Sequence, residues 1–99
     1  MRVAVVDIGT NSTRLLVADV ARDGTLIELE RRTKVTRLGD RLDHTGVLDN
    51  AAMERVLVTL TEYRAVIDGR GAERAVAVLT SAVRDAANGG AFLARARAR

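Results

Sequence analysis

Val3-Ala4-Val5-Val6-Asp7-Ile8-Gly9-Thr10-Asn11-Ser12-Thr13-Arg14-Leu15-Leu16-Val17 is the stretch from which the rest of the chain can be read. An apolar run carries an acid near its end, turns at a glycine through small hydroxyl and amide side chains, and returns as a second apolar run. Arg2 to Asp7 is short, β-branched and almost continuously apolar, the pattern of a strand in a sheet covered on both faces. Thr13 to Val20 is a second strand. Between them, Gly9 lets the backbone approach a ligand without a Cβ in the way. Successive N–H groups in such a turn form a concavity that suits an anion, and Thr10, Asn11 and Ser12 add donors. Gly, Asn and Ser are also ordinary turn formers; the acid set just before them favours a phosphate accompanied by a cation.

Asp7 is the position for that cation. A buried, unpaired carboxylate is costly and needs hydrogen bonds, water or a metal. It would hold Mg²⁺ directly or through water, or else cap the turn. Arg14, two residues past Ser12, either reaches back to a phosphate or pairs with a nearby acid.

Working outward, Arg22-Asp23-Gly24 is a hairpin signal, because Asp and Gly both tolerate positive φ. Thr25 to Thr36 is the third strand. Its Leu26, Ile27 and Leu29 set against Glu28, Glu30, Arg32 and Lys34 predict one half-solvated face. Thr36 to Leu48 is polar and glycine-containing, a loop with room for a helical turn. Asp49 or Asn50 caps the helix that follows. Met53, Val56, Leu57, Leu60, Tyr63 and Ile67 form its buried stripe, and Gly69 is placed for a left-handed C-cap. Arg74 to Thr80 is a fourth strand, expected to run parallel to the first by a right-handed crossover. Ser81 caps a further helix that Asn88-Gly89-Gly90 interrupts or bends, and Phe92 and Leu93 renew the apolar stripe. The order is β-β-β-α-β-α, an α/β chain with a mixed sheet. A sheet so apolar with so few helices is expected to be the first part of a larger domain.

Thr80-Ser81-Ala82-Val83-Arg84-Asp85 ends the fourth strand and opens a helix. Helix N-termini attract anions, so Ser81 is a candidate phosphate ligand. Arg84 in a first helical turn opposes the helix dipole; a polyanion would explain it, as would a surface pair with Asp85. With the first and fourth strands parallel neighbours, both loops share one edge of the sheet, the usual ligand crevice of such folds. His44, between Asp43 and Thr45, has no second histidine and no serine elbow to work with. The chain has neither a Gly-Lys-Ser/Thr run nor Gly-x-Gly-x-x-Gly.

Composition narrows the classes. The chain has 99 residues, 47% of them hydrophobic, which indicates one globular domain or part of one. Tyr63 and Phe92 are its only aromatics, which argues against base stacking and nucleic-acid partners. No cysteine and one histidine exclude thiolate and His-rich zinc sites within these residues. No apolar run approaches a membrane span and the start lacks a signal-peptide layout, so cytoplasm is expected and a membrane partner is not. The net charge of +3 comes from arginines interleaved with acids, and Arg95-Ala96-Arg97-Ala98-Arg99 fits a solvated helix end.

These residues resemble the exopolyphosphatase / guanosine pentaphosphate phosphohydrolase (Ppx/GppA phosphatase) family. Asp7-Ile8-Gly9-Thr10-Asn11-Ser12-Thr13-Arg14-Leu15-Leu16-Val17 looks like its first phosphate motif. Thr36-Arg37-Leu38-Gly39-Asp40-Arg41-Leu42-Asp43-His44-Thr45-Gly46-Val47-Leu48 is similar to its segment before the first long helix. Leu79-Thr80-Ser81-Ala82-Val83-Arg84-Asp85-Ala86-Ala87-Asn88 looks like its strand-to-helix motif. The resemblance implies a ribonuclease-H-like, actin-like ATPase fold of which this chain is the first part of the N-terminal lobe. It implies hydrolysis of terminal phosphoanhydride bonds in inorganic polyphosphate or guanosine pentaphosphate, with Mg²⁺. Asp7 would serve the metal, Gly9, Thr10, Asn11, Ser12 and Arg14 the phosphates, and Ser81 and Arg84 the polyanion.

Family members run to several hundred residues. Their catalytic glutamate and second glycine-rich phosphate loop are expected beyond Arg99, so residues 1–99 read as a partial phosphatase domain with no general base of its own and little or no activity alone. A homodimer of the full-length protein would make its contacts largely outside this stretch. The competing expectations are a non-catalytic module that binds phosphates or a partner chain, and a sugar-kinase or chaperone-like ATPase of the same fold, which Asn11-Ser12 and Thr80 to Asn88 argue against.

Overall fold

The structure is a computed structural model and describes residues 1–39, 46–80 and 86–97. Its elements are β1 (Arg2–Ile8), β2 (Ser12–Val20), β3 (Leu26–Val35), α1 (Asn50–Arg70), β4 (Arg74–Leu79) and α2 (Gly89–Arg97). The four strands form one sheet in the order β3-β2-β1-β4. β1 pairs antiparallel with β2 and parallel with β4, and β2 pairs antiparallel with β3. The sheet is mixed, as the pattern of short turns followed by a helical crossover requires.

Period-two alternation turns Ala4, Val6 and Ile8 of β1 and Thr13, Leu15 and Val17 of β2 to one face, where all are buried. Against that face lies α1, with Ala52, Met53, Val56, Leu57, Tyr63 and Ile67 buried along its stripe. Phe92 of α2, fully buried, completes the core. Arg95 pairs with Glu54 of α1 on the outside. An apolar cleft of about 380 Å³ remains between α1, α2 and β4, lined by Ile8, Leu60, Ile67, Ala77, Leu79 and Leu93.

Among the described residues no helix packs on the opposite face, so the cover expected on both sides is seen on one. Val3, Val5 and Leu16 are half-buried, while Val76 and Val78 are 55% and 51% exposed. The reason is that α1 and α2 both contribute to a single core on one face. Asp7 lies on that opposite face and is exposed, so the burial argued for it from the apolar run fails: alternation puts it opposite Val6 and Ile8. β3 is exposed over most of its length, Leu26 and Ile27 at 56% and 58%. Of its alternating apolar residues only Leu29 packs against the core, because β3 is the outermost strand and its register to β2 shifts at Val17/Ala18.

Local signals set the ends. The β2–β3 turn bonds Gly24 N to Ala21 O at 3.0 Å and Ala21 N to Thr25 O at 2.9 Å. Only Gly24 has positive φ there (89°), so this is a three-residue turn rather than the two-residue form that Asp-Gly suggests. Asp23 accepts from Thr25 N–H at 2.9 Å; hydrogen bonding with the Thr25 side chain first, and with that N–H second, lowers its carboxyl pKa. Asp49 caps α1, its Oδ2 accepting from Ala52 N at 3.2 Å. The helix ends at Gly71 (φ 69°), two residues beyond the Gly69 expected from sequence. The left-handed Gly71 closes the last turn, its N–H on Asp68 O at 3.1 Å and Ala72 N–H on Ile67 O at 3.2 Å, while Arg2 Nη1 donates to Arg70 O at 2.7 Å and satisfies a further terminal carbonyl. The same guanidinium clasps Asp19, with Nε to Oδ1 at 2.9 Å and Nη2 to Oδ2 at 3.2 Å. Asn88-Gly89-Gly90 opens α2, and the helix it was expected to interrupt falls on residues outside those described. The helix start expected at Ser81 lies outside the described residues.

Asp49→Ala is expected to cost about 1 kcal/mol by urea denaturation, the worth of an N-cap. Its hydrogen bond to Arg2 holds the Asp19 carboxyl below its ordinary pKa. Stabilisation from a depressed carboxyl is complete above the ordinary Asp value of about 4 and is lost as pH falls through the folded one. Asp19→Asn combined with Asp23→Asn should therefore flatten the fall of stability below about pH 4, measured as urea midpoint against pH.

Candidate functional site

Ile8 and Leu79 are register partners at the ends of β1 and β4. The loop after β1 and the end of β4 therefore meet at one edge of the sheet, as the parallel pairing predicts. Thr80 N donates to Ile8 O at 3.3 Å, and a Cβ on Gly9 would lie 4.0 Å from Thr80 Cγ2.

The Gly9–Ser12 turn closes by Gly9 N to Ser12 O at 2.9 Å. The segment after β3 then grips it. Thr36 N and Arg37 N both donate to Asn11 O at 3.0 Å, and Gly39 N donates to Thr10 O at 2.8 Å. The carbonyls of Thr10, Asn11 and Ser12 are thus all occupied. The N–H groups of Thr10 and Asn11, and the side chains of Thr10, Asn11 and Ser12, have no partner among the described residues. Thr10 and Asn11 are exposed. With three main-chain acceptors engaged and the Thr10 and Asn11 N–H donors left over, the turn is polarised to receive an anion.

The grip is anchored in the core. Thr13 and Thr36 share a hydroxyl hydrogen bond at 2.9 Å, both fully buried. Tyr63 OH donates to Thr13 O at 2.8 Å, and burial pushes its phenol pKa up. Arg55 of α1 donates through Nε to Thr36 O at 2.8 Å and through Nη2 to Arg37 O at 3.4 Å. Further along, the Asn88 amide bonds both backbone groups of Leu48, at 2.7 and 3.1 Å.

Asp7 and Arg14 are cross-strand partners and both exposed. Neither side chain makes a hydrogen bond or ion pair among the described residues, so the pairing of Arg14 with a nearby acid is not formed there. Ser81 and Arg84, like His44, lie outside the described residues. No group of three or more His, Cys, Asp or Glu that could hold a metal occurs among the described residues. Asp7 is a single free carboxylate beside an anion-directed turn. That suits Mg²⁺, which keeps several waters and is usually bound by one or two carboxylates plus substrate phosphates; it does not suit an ion needing a protein cage.

Thr80 itself was not singled out from sequence as a ligand. Its Oγ1 is shut off from solvent without a hydrogen-bond partner. A threonine ending a strand carries no sequence signal of that state. Among the described residues no helix is long and apolar enough to cross a membrane.

This mixed sheet, with its polar turn at the edge and its β-β-β-α-β-α order, is the actin-like ATPase class of α/β fold. The Ppx/GppA phosphatase family matches residues 16–99, and the chain belongs to that family. It is 43% identical over 96 residues to exopolyphosphatase 2 of Mycobacterium tuberculosis, covering 94% of this chain and 30% of that protein. It is 36% identical over 96 residues to a bifunctional 3-dehydroquinate synthase/phosphatase of Fusobacterium nucleatum, covering 91% of this chain and 14% of that one. The crystal structure of the Aquifex aeolicus family member superposes with a TM-score of 0.93 at 39% identity, over 100% of this chain and 32% of that chain. The chain spans about 30% of the length of the exopolyphosphatase it matches.

Two substitutions probe the turn. A Cβ on Gly39 would stand 3.0 Å from Thr10 Cβ, so Gly39→Ala should loosen the grip and cost about 1–3 kcal/mol in urea denaturation. Thr80→Val removes an unsatisfied buried hydroxyl and should leave the protein at least as stable, by up to about 1 kcal/mol. A large loss instead would mean that this hydroxyl is bonded in solution.

Proposed function

We propose that this chain is the first part of the N-terminal lobe of a phosphoanhydride hydrolase that removes terminal phosphates from inorganic polyphosphate or guanosine pentaphosphate. The carrying observation is the polarised Gly9–Ser12 turn, with the carbonyls of Thr10, Asn11 and Ser12 engaged and the Thr10 and Asn11 N–H groups left over. Those groups and the Thr10, Asn11 and Ser12 side chains hold the terminal phosphate at the sheet edge. Arg14, unpaired beside Asp7, neutralises phosphate charge. Ser81 and Arg84 are proposed as the opposite wall on sequence grounds. Asp7 would hold Mg²⁺, which when bound supplies charge neutralisation on the phosphate oxygens. The general-base glutamate and second phosphate loop of the family are placed outside these 99 residues. Phosphoryl transfer depends on positioning and electrostatics around the whole phosphate, so residues 1–99 alone should release phosphate near background.

The test is phosphate release by the full-length protein from polyphosphate and from guanosine pentaphosphate, with Mg²⁺ and with chelator. Asp7→Ala should lower kcat/KM by at least about 100-fold, the scale of losing one electrostatic stabiliser. Undiminished activity in Asp7→Ala would remove the role given to that carboxylate. Turnover of ATP with a sugar acceptor and none of polyphosphate would replace the hydrolase by a kinase.

A further inference from the structure

Arg37 is the sole non-glycine residue with positive φ among the described residues, at 52°. A side chain makes that left-handed backbone unfavourable, and glycine adopts it freely. The segment around it holds the strain in place. Arg37 N is bound to Asn11 O at 3.0 Å and Arg37 O accepts from Arg55 Nη2 at 3.4 Å. Thr36 and Gly39 are fixed to the same turn on either side. Both of these Arg37 bonds are main-chain, so glycine would make them at less cost. Nothing internal uses the side chain: Arg37 is exposed and its guanidinium has no hydrogen bond or ion pair among the described residues. A strained position, bonded directly to the candidate phosphate turn, thus carries the longest cationic side chain with no internal work for it. Strained backbone held by its surroundings gathers at ligand sites.

We infer that Arg37 is a substrate-binding residue, whose guanidinium takes a phosphate of a polyphosphate chain at the rim of the Gly9–Ser12 turn. This rests on the phosphoanhydride-hydrolase reading of the turn. A guanidinium is the suitable group, being permanently charged and able to make two parallel bonds to phosphate oxygens.

Glycine at this position separates charge from strain. In the full-length protein, Arg37→Gly should melt at or above the parent temperature while the Kd and KM for inorganic polyphosphate rise about tenfold, the scale of one charge-assisted hydrogen bond. kcat should change little. Arg37→Asn, which tolerates the left-handed region, should behave alike, and Arg37→Lys should recover part of the affinity. Kd and KM within about twofold of the parent in both neutral variants, well short of the tenfold step, would overturn the inference, and so would lost affinity accompanied by a lower melting temperature in both. Asp7→Asn in the same assays keeps the two readings apart. Hydrolysis that survives Asp7→Asn removes the role of Asp7 and leaves the Arg37 binding result standing. A parent that neither binds nor hydrolyses polyphosphate overturns both.

Discussion

The grip of the segment after β3 on the turn after β1 is the constraint on which the site depends. Three N–H groups, from Thr36, Arg37 and Gly39, enter the carbonyls of Asn11 and Thr10. An isolated four-residue turn would leave its amides and carbonyls equally open to water. Here the carbonyls are consumed from one side and unpaired amides remain. The grip is enforced from the core, because Thr36 is hydrogen-bonded to Thr13 without solvent contact and Arg55 holds its carbonyl. Buried polar groups of this kind are costly when half satisfied and position-fixing when complete.

The same sheet explains why the site sits at an edge and not in a cavity. The helices pack on one face, so β1 can bury Ala4, Val6 and Ile8 while presenting Asp7 to solvent one residue away. Parallel pairing of β1 with β4 brings Thr80 to Ile8. A carboxylate, a donor-rich turn and the end of a second strand then converge without any long loop. The other face, with Val76 and Val78 half exposed, fits a chain that spans about 30% of its exopolyphosphatase relative.

Much of this was legible in the residues. The element order, the parallel fourth strand, the Asp49 cap and the α1 stripe from Met53 to Ile67 follow from periodicity and capping chemistry, which act over a few neighbouring residues. The misses came from partners distant in sequence. Gly69 looked like the helix stop, but Arg2 supplies a donor to Arg70 and the helix runs to Gly71. Asp7 looked buried because its neighbours are apolar, yet no helix among the described residues covers its face. Leu26 and Ile27 looked half-buried, yet on the outermost strand only Leu29 packs against the core and both of them stay exposed.

The sequence by itself determined which residues form strands and helices, that a donor-rich glycine turn follows an acid, and to which family these motifs belong. All of that is carried by short-range spacing and residue type. Only the tertiary structure decided which face of the sheet is covered, that the segment after β3 consumes the turn's carbonyls, and that Arg37 is held left-handed against it. Those depend on contacts across 19 to 29 residues of chain, as between Arg55 and Thr36 or Gly39 and Thr10, and no local pattern encodes which distant backbone group will be met.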